Sequence, residues 1–107
     1  MSYFSREKDK ITSIGEGCLL LDSSNSCVNG CCAGITFYSL TEYSTPGIHE
    51  DQEGFYVLEG TGWGKVGNEE FRIELGTSFM AAAGTPHTMK RDSDSVPIKV
   101  FWFHSAV

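Results

Sequence analysis

The chain reads as an all-β domain, a jelly roll or barrel built from eight short strands. Three observations point there. The apolar runs are short, rich in β-branched and aromatic residues, and bounded by Gly, Asn, Asp, Ser or Pro. Glycine is abundant, at 12 residues. No stretch carries useful helical periodicity, since even the charged segment at 6–10 lacks an apolar face. With 107 residues, 40% of them hydrophobic, the chain is long enough for one domain with one modest core and too short for two.

Taken in order, Gly17 to Leu21 is the first strand, ending in the apolar run Cys-Leu-Leu-Leu. Ala33 to Leu40 follows, centred on Ile-Thr-Phe-Tyr, and then Gly54 to Glu59, with Phe-Tyr-Val-Leu at its heart. Gly60-Thr61-Gly62 breaks that strand from Gly62 to Val66. The pair Gly67-Asn68 accepts the positive φ of a primed two-residue turn and predicts a hairpin to Glu70 to Leu75. Ser78 to Ala82, His87 to Arg91 and Ile98 to His104 complete the set. An antiparallel sheet with this many strands protects its edges by doubling or closing.

Charge narrows the partners. Lys and Arg number 8 against 14 Asp and Glu, for a net charge of -6, and no basic cluster exceeds Lys90-Arg91. That excludes nucleic acid and anionic membrane as expected partners. The apolar stretches are too short to span a bilayer and the N-terminus has no signal-peptide core, so a cytoplasmic protein is expected. Cys18, Cys27, Cys31 and Cys32 are accordingly read as reduced thiols. The spacing of Cys27, Cys31 and Cys32 is not CxxC, and no nearby His completes a zinc site.

Two segments carry the candidate chemistry. Pro46 to Gly62 and Gly76 to His87 offer His49, Glu53 and His87 as ligands for one divalent ion. Two imidazoles and a carboxylate suit iron with open coordination positions, and also manganese, nickel or zinc. His49 and Glu53 are four residues apart, which puts them on one face of an extended segment; His87 follows the Thr85-Pro86 turn. Glu50 and Asp51 are expected to face solvent. In the last strand His104, Trp102 and Val100 share a face opposite Phe101 and Phe103, and which face looks inward stays open. Phe55, Met89, Trp102 and His104 are the candidate pocket residues, among aromatics that mostly fill the core.

The run from Gly47 to Gly60 resembles the first cupin motif: His49 stands at its second His, Glu53 at its Glu and Gly60 at its closing Gly. Gly76 to His87 resembles the second motif, with Gly76, Gly84 and His87 on pattern, Ala82 in place of the usual Pro, and Arg91 where Asn often closes it. Fifteen residues, Thr61 to Leu75, separate the two. Gly47 stands where the motif normally carries its first His, so one of the family's four usual ligands is absent. The resemblance implies a small single-domain cupin, a jelly-roll β-barrel with a divalent metal held by His49, Glu53 and His87. It implies action on a small polar metabolite, a sugar or organic acid, as a dioxygenase, isomerase or lyase. Gly47 keeps open a non-catalytic, metal-free binding module. The resemblance also implies a homodimer that exchanges Met1 to Ile14.

Overall fold

The computed structural model describes residues 2–107, and Met1, the first residue of the expected arm, lies outside them. Eight strands form in the expected order: β1 (Cys18–Leu21), β2 (Cys32–Tyr38), β3 (Glu53–Glu59), β4 (Gly62–Val66), β5 (Glu69–Ile73), β6 (Ser78–Ala81), β7 (His87–Arg91) and β8 (Ile98–His104). They make two antiparallel sheets, one ordered β1-β2-β8-β3-β6 and one ordered β5-β4-β7. This is a jelly-roll barrel, and strand alternation fills it. Phe55, Val57, Ile73, Ala81, Met89, Ile98 and Val100 interlock as its buried core. Among the described residues, two single 3-10 turns, Glu7–Asp9 and Ser23–Asn25, are the helical content.

Strand ends move for local reasons. β2 stops at Tyr38 rather than Leu40 because the chain there leaves β8, and the Leu40 carbonyl accepts from the backbone N–H of Arg91 (2.9 Å). β5 stops at Ile73 rather than Leu75 because Glu74 and Thr77 close a turn: the Glu74 N–H donates to Thr77 Oγ1 at 3.0 Å, with Gly76 at φ +91°. The β4–β5 hairpin has its two-residue loop at Gly67-Asn68. Only Gly67 takes positive φ (+58°), the pattern of the primed turn with Gly at its first central position.

The arm lies against its own domain. Ser5 Oγ donates to the Leu20 carbonyl (2.6 Å), Asn25 Nδ2 to the Ser2 carbonyl (2.7 Å), and Lys99 Nζ pairs with Glu7 at 3.0 Å. No described helix is long and apolar enough to cross a membrane. All four cysteines are free.

Candidate metal centre

Glu53 opens β3, where alternation points it, like Phe55 and Val57, into the barrel. It is 7% exposed, a level that charged side chains reach only with partners. Its partners are imidazoles from three different places. His87, the first residue of β7, comes from the facing sheet and brings Nε2 to 3.1 Å from Glu53 Oε1. An isolated bridge between Gly47 and His87 ties the incoming segment to the same strand. His49 follows that bridge and places Nε2 at 3.2 Å from the same oxygen. The chain bends at Glu50-Asp51 rather than running extended as expected, so His49 reaches Glu53 around that bend. The ring of His49 stays exposed and that of His87 is buried.

His104 is the fourth member. It is the direct cross-strand partner of Glu53 in the β3–β8 ladder, and opposite residues on neighbouring strands share a face. Its Nε2 stands 3.6 Å from Glu53 Oε2, and its Nδ1 lies 3.0 Å from each oxygen of Asp51. Asp51 therefore does not simply face solvent as expected. It turns onto His104, whose bond holds the Asp51 carboxyl below its usual pKa. Glu50 does stay exposed.

Proton placement decides what this cluster can hold. His87 Nδ1 faces the Thr85 carbonyl (3.3 Å) and His104 Nδ1 faces a carboxylate, and both of those partners only accept. Each Nδ1 therefore carries the hydrogen, and in the neutral ring each Nε2 presents a lone pair towards Glu53. Although two nitrogens lie near it, Glu53 Oε1 is buried without a hydrogen-bond partner. Lone pairs and a carboxylate directed at one point repel one another unless a proton or a cation sits among them. Glu53 raises the His87 pKa for this reason, against the opposing pull of burial, with Thr85 adding to the rise. The donor spacing suits a cation as well. Metal–ligand distances near 2.1 Å put neighbouring donors about 3.0–3.4 Å apart. The observed separations of 3.1 and 3.2 Å match, and one donor atom each from His49, Glu53 and His104 all lie within 4.8 Å of one another.

Above the cluster an open cavity of about 700 Å³ is lined by Gly30, Cys32, Ile48, His49, Glu50, Asp51, His104 and Val107. Of the candidate pocket residues only His104 lines it. Phe55 and Met89 are buried in the core, where Phe55 stacks on Phe79 with centroids 4.6 Å apart. Trp102 lies behind His104, edge-on at 5.5 Å, its Nε1 donating to Thr36 Oγ1 at 2.9 Å. Burial pushes the Cys32 thiol up, which keeps it protonated at neutral pH and a poor nucleophile. Burial, with Glu53 nearby, also pushes Tyr38 up to about 12. Position 47 faces the cluster too: a Cβ there would lie 3.2 Å from His87 Nε2 and 3.7 Å from His49 Nε2.

A family model described as the cupin domain matches residues 40–104, which hold both ligand-bearing segments and six of the eight strands. The chain is a cupin. Among solved structures, this cupin is similar to a cupin protein from Bacteroides fragilis, at 16% identity and a TM-score of 0.74 over all of this chain and 87% of that one. It is also similar to the Cnp3 cupin domain of Schizosaccharomyces pombe, at 14% identity and a TM-score of 0.72, covering 85% of this chain and 60% of that one. A third likeness is to Fe(II)-HppE with the alternative substrate (S)-1-HPP, at 15% identity and a TM-score of 0.70, covering 83% of this cupin and 48% of that chain. At these identities the likeness is one of fold. This cupin thus spans well under two thirds of some of its structural relatives. No curated protein matches it.

Proposed function

We propose that this cupin binds one divalent metal ion, iron, manganese, nickel or zinc, through His49, Glu53 and His87, and that it binds or transforms a small polar metabolite there as a dioxygenase, isomerase or lyase. The observation that carries this is the buried Glu53 Oε1, which lacks a hydrogen-bond partner while two imidazole nitrogens face it at 3.1 and 3.2 Å. A ligated ion would supply Lewis acidity, or a site for oxygen if it is iron. Support for iron comes from HppE, a fold relative described with Fe(II). The chain's own residues do the rest. Thr85 fixes the His87 tautomer, and the core behind Phe55 and Met89 excludes water from the floor of the site.

The cavity argues about the substrate as well. Among the described residues its wall carries Glu50 and Asp51 and no Lys or Arg, and Glu53 stands beside the His49 and His104 of that wall. Those carboxylates offset the charge of a divalent ion, so a neutral polyol or sugar is favoured over an organic acid. Gly47 favours a second reading, a non-catalytic binding module without metal, because it leaves vacant a backbone position that points at the imidazoles. A homodimer is proposed too. Tyr56, Leu58, Met80 and Phe103 are exposed apolar side chains on β3, β6 and β8, at a level of exposure uncommon for a row of large hydrophobics on neighbouring strands.

Thermal shift of chelator-stripped protein separates the two readings. Metal at 100 times its dissociation constant contributes about 2.7 kcal/mol and raises Tm by on the order of 10 °C. That rise should vanish in Glu53→Ala and His87→Ala. Neutral polyols that shift Tm equally with and without metal, and are recovered unchanged, would instead establish the binding module.

A further inference from the structure

The three-ligand set leaves one imidazole at the site without a role. His104 closes β8, its side chain is 15% exposed, and its ring stands edge-on to His49 with centroids 4.9 Å apart. We propose that His104, fixed as its Nδ1–H form by the Asp51 carboxylate, is a fourth ligand of the metal site proposed above, coordinating through Nε2. The inference rests on that metal site and deepens it.

Three features of the chain carry it. First, the β3–β8 register puts Glu53 and His104 opposite one another, so both side chains emerge on the inner face, held by backbone pairing rather than by a loop. Second, both oxygens of Asp51 lie 3.0 Å from His104 Nδ1, the carboxylate–histidine arrangement that fixes the tautomer and raises the basicity of a metal-bound imidazole. With Nδ1 as donor, Nε2 is left with its lone pair 3.6 Å from Glu53 Oε2, too far for a hydrogen bond and only slightly wider than the donor spacing around one ion. Third, the ligand atoms of His49, Glu53 and His104 fall within 4.8 Å of one another. Gly47 contributes no side chain, so a fourth protein ligand has to come from another strand, and β8 supplies it. Asp51 lies in the bend at Glu50-Asp51 and His49 directly precedes it, so one short segment delivers one ligand and the orienting group of another.

The competing role for Asp51 and His104 is structural, an ion pair that pins the bend at Glu50-Asp51 to β8. Nitrogen-15 NMR of the imidazoles in the full chain, stripped of metal and titrated with zinc, tells them apart. Before zinc, His104 should show the Nδ1–H tautomer. At one equivalent its Nε2 resonance should shift together with those of His49 and His87. Asp51→Asn and His104→Gln, checked for folding by circular dichroism, should each weaken zinc binding about 10- to 100-fold, the scale for lost orienting groups and ligands. Stoichiometric zinc that moves His49 and His87 but leaves His104 Nε2 in place, with His104→Gln binding as the parent does, would overturn the assignment of His104 alone. A parent that binds no zinc would overturn the metal site and this inference together.

Discussion

Glu53 is the residue on which the site turns. Burial makes its charge costly, and three imidazoles from a bend, the facing sheet and the neighbouring strand surround it. A different ion pair on the exterior reports on acid stability. Arg72 makes two bonds to Asp92, at 2.9 and 2.8 Å, and holds the Asp92 carboxyl down to about 2 from an ordinary 3.8. A depressed carboxylate stabilises the fold above its unfolded pKa and loses that contribution as pH falls through the folded value. The stability difference between the parent and Asp92→Asn should therefore be constant above about pH 5, shrink as pH falls through 3.8 towards 2, and vanish only below pH 2, read by urea denaturation across that range. A difference that persists unchanged at pH 2 would contradict the pair's role. The convergence of His49, Glu53 and His87 is legible in the sequence because each sits in a short segment with its own turn chemistry. His104 is legible only as a candidate pocket residue, and its pairing with Asp51 beside Glu53 is not legible at all. Their meeting depends on a strand register between residues about fifty apart, and alternation alone leaves the inward face of β8 undecided.

At the scale of elements, turns place the ligands. The β4–β5 hairpin relies on Gly67 at φ +58°, where a Cβ would have room, with Thr85 Cγ2 at 3.5 Å, but an unfavourable backbone. Gly67→Ala should cost about 1–2 kcal/mol, measured by denaturant unfolding, with the zinc-free far-UV spectrum unchanged. An unaltered midpoint would show that the left-handed conformation is not required. All eight strands were legible because Gly, Asn and Pro punctuate them. Their ends were less so: β2 and β5 each stop short where a long-range carbonyl or a Thr side chain takes over the backbone bonding. The bend at Glu50-Asp51 was likewise hidden, since an extended segment and a turn can both bring residues four apart to one side.

Across the whole molecule, the two sheets enclose a small core and leave a mouth open above His49 and His104. The exposed Tyr56, Leu58, Met80 and Phe103 lead us to expect a dimer, which light scattering at working concentration should show as twice the mass of the 11.7 kDa chain. A monomer there would remove the homodimer proposal without touching the metal site. The barrel was legible as a whole because two motif-bearing segments and their spacing occupy much of the chain, whereas the chemistry of the cavity wall depends on loops that meet only after folding.

Elemental analysis of untagged protein, purified without chelator and reconstituted with iron, manganese, nickel or zinc, tests the metal centre most directly. Near one metal per chain in the parent, lost in both Glu53→Ala and His87→Ala, is the expected result. No retained metal after every reconstitution would contradict it and leave a cupin that binds its ligand without an ion.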